Sequence, residues 1–435
     1  MAPYLARGGM RRAFLEVGAS TLAGKLVSGG KEIAVARFFG VSAGVDGYGL
    51  ALSLVGAIQS IISVAIRPSL LPMLMEASKE GANRERRLAA HTGLAIAAGG
   101  TAIAIALPDL FARMQPSLLA QASPRTLQEA VPMLDLLRWG VPLSLLTLWA
   151  GTILERHKRF VAPTLAEAAP AVGILALLPA AAGILHERAL ALGTVAGVAG
   201  SAVALAALAL STGTVARRPA EARGFDTLLL ETGRRFVPML GAGLFVSLIN
   251  LTDSLVAAWQ GEGAVATMGY AQRVMALFLG ISGAIIARVG LPYMAERFQQ
   301  SDAAGQQLLN RLVRLGALAG LGMAAPLALF CQPLVALLFQ RGAFTTHDTV
   351  AVAGVLFALT WQLPFYFAYL VQTQTLAARG MQSRIFAVGM ANCLLNAALD
   401  VVLARYLGVA GIAWATTAVV AAATLTTAWL ARRPG

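Results

Sequence analysis

The chain has 435 residues, 57% of them hydrophobic and 13% charged, with a formal net charge of +13 and a mean hydropathy of +0.70. This composition excludes a water-soluble globular domain, because apolar runs of about 20 residues, enough to cross a ~30 Å hydrocarbon core, recur along the whole length. The two cysteines, Cys331 and Cys393, have no ligand-like spacing to any of the four histidines, so neither a disulfide framework nor a metal site is expected.

Twelve spans are expected, centred near Val27, Ala57, Ala98, Leu145, Leu175, Ala204, Gly243, Leu279, Leu321, Leu363, Cys393 and Thr417. The leading segment MAPYLARGGMRR runs into a charge-bearing stretch without a small-residue cleavage site, so the first span is expected to be kept. With the N-terminus inside, the cytoplasmic segments collect 22 Lys and Arg residues and the outer loops 6, which orients both termini to the cytoplasm. The positive charge is thereby assigned to topology, and no nucleic-acid partner is expected. Six basic residues are left within or at the edge of spans: Lys25, Lys31, Arg67, Arg138, Arg273 and Arg288.

The first span, ASTLAGKLVSGGKEIAVARFFG, carries Lys25, Lys31 and Glu32. At roughly 2.5–3.5 kcal/mol for each ionised side chain at mid-span, the three would cost on the order of 8 kcal/mol against lipid, so they are expected to face protein or water. Gly18, Thr21, Lys25, Ser28 and Glu32 fall on one helical stripe, and Lys31 points about 120° away, an arrangement that suits an anion gripped from two sides. The competing expectations are a buried Lys25–Glu32 pair, or Lys31 and Arg37 snorkelling to the outer interface.

Further along, Arg67 in the second span and Arg273 in the eighth extend the list of cations that can meet an anionic cargo, although Arg273 also suits an interfacial anchor, and Arg288 reads as snorkelling. Asp253 follows Asn250 in the seventh span, and Asp400 ends a stripe with Asn392 and Asn396 in the eleventh; each stripe suits interhelical hydrogen bonding or ion binding. In the loop LLFQRGAFTTHDT, Thr345 and Asp348 fit a helix cap and Gly342 a tight turn, which leaves Arg341 and Phe344 unexplained.

Gly47-Tyr48 and Gly269-Tyr270 are offset by 222 residues and Pro72 and Pro292 by 220, while Pro108 and Pro326 are expected to end the third span and break the ninth. The fold class is therefore all-α, a polytopic membrane protein of two six-helix lobes, residues 1–215 and 216–435, related by a parallel repeat, with a substrate cleft between the bundles.

The first-span pattern Lys25…Lys31-Glu32…Arg37-Phe38-Phe39-Gly40…Asp46, the loop Arg341-Gly342-Ala343-Phe344…Asp348, the run Ala378-Arg379-Gly380…Arg384 and the closing Asn396…Gly408-Val409-Ala410-Gly411 resemble the MurJ/MviN family of lipid II flippases, in the MOP transporter superfamily that also holds the MATE exporters. The resemblance implies alternating access by two six-helix lobes and an undecaprenyl-diphosphate-linked glycan as cargo, for peptidoglycan or cell-surface polysaccharide synthesis at the bacterial inner membrane. It places Lys25, Lys31, Glu32 and Arg273 at the head group, to which Arg67 is added from its own position in the second span, and Asp46, Arg341, Gly342, Phe344 and Asp348 are expected at a gate or loop. Gln59 and Ser60 stand where the family has an adjacent arginine pair, and twelve spans where its members typically have fourteen.

Two rival classes are a multidrug exporter taking cations and a non-transporting scaffold of a glycan-assembly complex. No enzyme constellation is present. No cofactor is expected beyond a coupling ion, Na+ or H+, for which Asp253 and Asp400 are the candidates. The expected partners are the glycan lipid, membrane lipids, and a glycosyltransferase or polymerase of the same pathway, with the chain itself a monomer.

Overall fold

A computed structural model describes residues 7–214, 225–280 and 301–432. All regular structure among them is helical: α1 (Arg7–Phe39), α2 (Ala43–Glu80), α3 (Ala82–Leu118), α4 (Pro124–Leu137), α5 (Gly140–Arg156), α6 (Val161–Ala166), α7 (Ala169–Leu185), α8 (Arg188–Ser211), α9 (Phe225–Ala258), α10 (residues 264–280), α11 (Asp302–Leu329), α12 (Cys331–Phe339), α13 (Thr346–Thr360), α14 (Leu363–Ala378), α15 (Gln382–Leu407) and α16 (Val409–Arg432). Each of the twelve expected span centres lies in one of these helices.

Six helices, α2, α3, α8, α11, α15 and α16, are long and apolar enough to cross a membrane, and α4 with α5 and α13 with α14 make two more as pairs bent by 40° and 42°. α7 and the second half of α9 are shorter and apolar, and α1 has the length, 33 residues, but carries the three charges. These elements are consistent with twelve spans. The eighth begins in α10; the rest of it, with Arg288 and the Pro292 landmark, lies outside the described residues, as does the expected lobe boundary at 215/216. Leu22, Leu26, Leu94, Ile105, Val203 and Leu394 are each more than 60% exposed on their helices, a surface tolerable in lipid and not in water.

Two compact units divide the chain. The first comprises Met1–Phe38, Leu50–Ala120 and Pro124–Ser247, and the second Phe39–Gly49, Gln121–Ser123 and Leu248–Gly435. Within the first, glycines let backbones touch: a Cβ on Gly173 would stand 2.1 Å from the Gly193 carbonyl oxygen, and one on Gly197 2.0 Å from that of Ala169, so α7 and α8 pack backbone to backbone. Within the second, α16 is tied by hydroxyls to α13 and α14, Thr417 donating to the Ala358 carbonyl of α13 (2.8 Å), and Thr424 to that of Phe365 (2.9 Å) and Thr427 to Gln372 on α14. Such bonds hold helices together where no hydrophobic effect drives association.

Proline accounts for the two bends. Pro142 cannot donate to the Arg138 carbonyl, nor Pro364 to that of Thr360, so each span breaks one turn before its proline. The breaks read Trp139-Gly-Val-Pro142 and Trp361-Gln-Leu-Pro364, offset by the same 222 residues as the two Gly-Tyr pairs. They add a repeat landmark that a search for apolar runs passes over. Pro108 does not end the third span: α3 continues past it to Leu118, one kink being affordable where neighbouring helices satisfy the freed carbonyl. Pro326 lies one turn before α11 gives way to α12.

The α7–α8 contact leads to a stability prediction. Gly197→Ala inserts a methyl group against backbone and is expected to cost about 1–3 kcal/mol, read as a lowered melting temperature in detergent, whereas Gly200→Ala on the same helix meets open space and is expected to be neutral or slightly stabilising. Equal melting temperatures for the two variants would remove the close approach.

Candidate functional site

In the first unit, α1 presents Lys25 exposed, while Lys31 and Glu32 are only 13% and 12% exposed along their side chains and form an ion pair with each other. The acid is therefore answered by its neighbour and not by Lys25 two turns back, which sets aside the expected Lys25–Glu32 pair. Leu22 and Leu26 are the apolar, exposed side of the same helix, and Ser20 and Thr21 donate to the carbonyls of Glu16 and Val17 (2.7 and 2.8 Å). The hydroxyls are thus satisfied within the helix, and the charges alone need an external account.

Arg67 has a partner that the sequence did not reveal. Its Nε lies 2.8 Å from a carboxylate oxygen of Glu155, at the end of α5. The adjacent Arg156 donates to the Ser78 hydroxyl (2.9 Å) and lies 3.6 Å from Glu85, so an ionic layer joins α2, α3 and α5 at one end of the unit. The pairing spans 88 positions of sequence, beyond the reach of any local pattern. An apolar cavity of about 420 Å³ in the same unit is lined by Ile62, Ile66, Leu88, His91, Leu145 and Phe236, with no Lys or Arg on its wall among the described residues.

In the second unit the gate and loop residues converge. Asp46 is fully buried and accepts hydrogen bonds from the backbone N–H groups of Gly263 and Ala266 (2.7 Å for Ala266), capping the N-terminus of α10. A carboxylate there satisfies two otherwise orphaned donors and meets the positive end of the helix dipole. Gly40 ends α1 at a φ of +58°, with room for no Cβ against the Ala343 carbonyl, and its own carbonyl accepts from the Tyr270 hydroxyl (3.1 Å). Phe344 packs edge-on against Tyr270 at 5.4 Å and lies 5.8 Å from Phe339. The expected cap is present: Asp348 accepts from the Thr345 N–H (2.7 Å) and donates its own N–H to the Thr345 hydroxyl (3.2 Å). Gly342 takes the turn at a φ of +64°, and Arg341 is exposed, bonding back to the Leu337 carbonyl of its own α12. Gly40 was legible only as part of a motif; its close approach needs the fold.

Asp253, Asn396 and Asp400 are all buried and come together on α9 and α15. The Asn396 amide donates to Asp253 (2.9 Å) and to Asp400 (2.6 Å), and Gln272 on α10 donates to Asp253 (3.2 Å). One oxygen of Asp400 and the amide oxygen of Asn396 have no hydrogen-bond partner among the described residues. Asn250 and Asn392 are not in this cluster. Arg273, on α10 one residue beyond Gln272, holds its guanidinium 5.8 Å from the centre of the Tyr270 ring. The second unit thus gathers Asp46 with Phe344 and Asp253 with Asp400, while Lys25, Lys31 and Arg67 belong to the first.

These helices, with two proline-broken spans and ionisable groups buried along them, define a multi-pass membrane protein. The fold is shared with solved structures: lipid II flippase MurJ in an inward closed conformation matches with a TM-score of 0.80 at 19% identity, covering 96% of this chain and 87% of that one. An inward-facing MATE family multidrug resistance transporter of the MOP superfamily matches with a TM-score of 0.68 at 15% identity over 96% of this chain and 93% of that one. The family model described as lipid II flippase MurJ matches residues 35–434, and the chain belongs to that family. Among relatives, a probable lipid II flippase MurJ of Rickettsia prowazekii is 26% identical over 35% of this chain, and one of Rhizobium meliloti 34% identical over 28%. The matched segments span 30% and 23% of those relatives' own lengths.

The Asp46 cap is open to direct test. Asp46→Ala leaves two buried N–H groups unpaired and is expected to cost about 2–4 kcal/mol of stability, with Asp46→Asn, which keeps one acceptor, in between. Thermal unfolding of the purified chain in detergent reads the order wild type, Asn, Ala; a melting temperature unchanged in the alanine variant would show that α10 needs no cap.

Proposed function

We propose that the chain is a flippase that carries a polyprenyl-diphosphate-linked glycan precursor, lipid II or a cell-surface polysaccharide unit, across the bacterial inner membrane. Both termini face the cytoplasm, and two lobes, residues 1–215 and 216–435, alternate in access. Lys25, Lys31 and Arg273 engage the diphosphate head, with Glu32 orienting Lys31 and Arg67 contributing from α2, while the lipid tail stays in the bilayer. Only the head needs protein, since moving its charge through hydrocarbon is the costly step. The chain acts as a transporter without covalent chemistry, as a monomer, alongside a glycosyltransferase or polymerase that makes or uses the same lipid. The observation that carries the reading is an exposed lysine at mid-helix in α1, in a chain of the MurJ family, where a lipid-facing position would be penalised.

Closing the outer side falls to the Asp46, Phe344 and Tyr270 cluster, which locks when the α10 cap forms and opens when it breaks. Coupling falls to Asp253, Asn396 and Asp400. Two carboxylates and an amide with oxygens left over fit a monovalent cation or a shared proton, and either would offset the repulsion of paired buried acids.

Growth of a host depleted of its own lipid II flippase tests the cargo: this chain is expected to restore it, Lys25→Ala and Arg273→Ala to fail at normal expression, and Lys25→Arg to succeed, since arginine keeps the charge and adds a fork suited to phosphate. Rescue by the alanine variants would favour the cation exporter or the scaffold. Flipping in proteoliposomes is expected to depend on Na+ or on the proton gradient, and Asp400→Asn to abolish that dependence. An unchanged ion response in the variant would remove coupling from this cluster.

A further inference from the structure

The composition of α3 fixes its depth in the bilayer. Between Arg87 and Asp109 lie 21 residues with no Asp, Glu, Lys or Arg, about 31 Å of helix, which matches a ~30 Å hydrocarbon core and sets Arg87 at its edge. Arg87, Leu94, Ala98 and Ile105 share one stripe of this helix, and all four are exposed. A cation at the edge of the core thus heads an apolar strip suited to lipid.

The apolar cavity of the first unit lies beside that strip. Its α3 wall includes Ala95, Gly99 and Ile103, the neighbouring row of the same helix, and α2 adds Ile62 and Ile66. Gly99 is exposed and a Cβ there would meet nothing within 4 Å, so the rim is low at that point. At the back the space is closed, because a Cβ on Gly93 would stand 2.7 Å from the Trp149 ring and one on Gly100 2.8 Å from Pro142 Cα. Thr92 donates its hydroxyl to the Leu88 carbonyl (2.8 Å) and accepts from the Trp149 indole N–H (3.3 Å), so its polar group is already engaged by protein. A space of about 420 Å³ with so apolar a wall does not hold water, and one that opens to a bilayer takes up a hydrocarbon chain. The cavity runs from Leu88, at the edge of the core, to Ile103, just past its middle, which is the depth one phospholipid chain covers. The end near Arg87 is positive: Glu155, Glu85 and Glu80 are matched by Arg67, Arg156 and Arg84, and the charge of Arg87 is in surplus over them.

We propose that this cavity binds one anionic phospholipid of the leaflet at the α2–α3 turn: one acyl chain enters the cavity past Gly99, the other lies along Leu94, Ala98 and Ile105, and the phosphate meets Arg87. A basic side chain at the head-group edge of a pocket between membrane helices favours an anionic head by about fivefold, and the depth of the pocket suits a chain that ends near the bilayer middle. The inference concerns the membrane around the chain and stands without the flippase reading.

Photocrosslinking of the full chain in phosphatidylcholine liposomes tests it, with phosphatidylglycerol carrying a diazirine near the end of one acyl chain as the probe. Label is expected within residues 62–70 or 88–103, and unlabelled phosphatidylglycerol is expected to displace it about fivefold more effectively than added phosphatidylcholine. Gly99→Leu places a side chain where the Cβ meets open space and favours the helix; it is expected to cut label in these segments at least fivefold and to leave label elsewhere unchanged. Arg87→Ala is expected to keep the label and lose the preference for phosphatidylglycerol. Both variants are compared with wild type by melting temperature in detergent, which neither is expected to lower. Label that survives Gly99→Leu, or wild type displaced equally by the two phospholipids, overturns the site, and a preference that survives Arg87→Ala overturns the head-group contact. Undecaprenyl phosphate displacing the probe more effectively than phosphatidylglycerol would assign the cavity to a polyprenyl tail and overturn the phospholipid as its occupant.

Discussion

Every buried charge and every broken helix in this chain is governed by one constraint: inside hydrocarbon, a polar group must find its partner in protein, in ligand or in trapped water. The molecule meets that constraint in three different ways. Lys31 and Glu32 answer each other on one helix, Arg67 is answered from another helix by Glu155, and Asp46 is answered by backbone donors. What these leave among the described residues is a short list of buried oxygens with partial protein partners, those of Asn396 and Asp400 among them.

The cluster around Asp46 follows from the same constraint. A helix that starts within a membrane protein exposes N–H groups that water cannot reach. Asp46 closes the α10 start from a position 217 residues earlier, and Gly40 allows the approach because any side chain there would strike the Ala343 carbonyl. Tyr270 and Phe344 then fill the space with rings. A cap of this kind is strong while complete and exposes its donors at once when it breaks, which suits a two-state element better than a graded one.

How much of this the sequence disclosed depended on distance along the chain. Span positions and the Thr345–Asp348 cap are local signals, and both can be read within a few dozen residues. The stripe Asn396, Asp400 was visible as spacing on α15, but its meeting with Asp253 was not, because nothing in either segment encodes the other. Glu155 escaped for the same reason, sitting at a helix end where an acid is unremarkable until Arg67 is beside it. Pro108 misled in the opposite direction: the local rule that proline ends a helix holds in water, and a membrane helix with packed neighbours runs through it.

The two proline breaks show how far the two halves have parted. A shared Trp-x-x-Pro spacing gives both the same bend, since the missing amide donor acts on backbone alone and is indifferent to neighbouring side chains. At the residue whose carbonyl is freed, one half has Arg138 and the other Thr360, and the consequences diverge. Threonine returns its one donor to its own helix and disappears into the packing, whereas arginine returns one of its five to the Asp135 carbonyl and lies beside the Asp135 carboxylate at 3.6 Å. The proline fixes where each span bends; a single side chain then decides how the bend is packed.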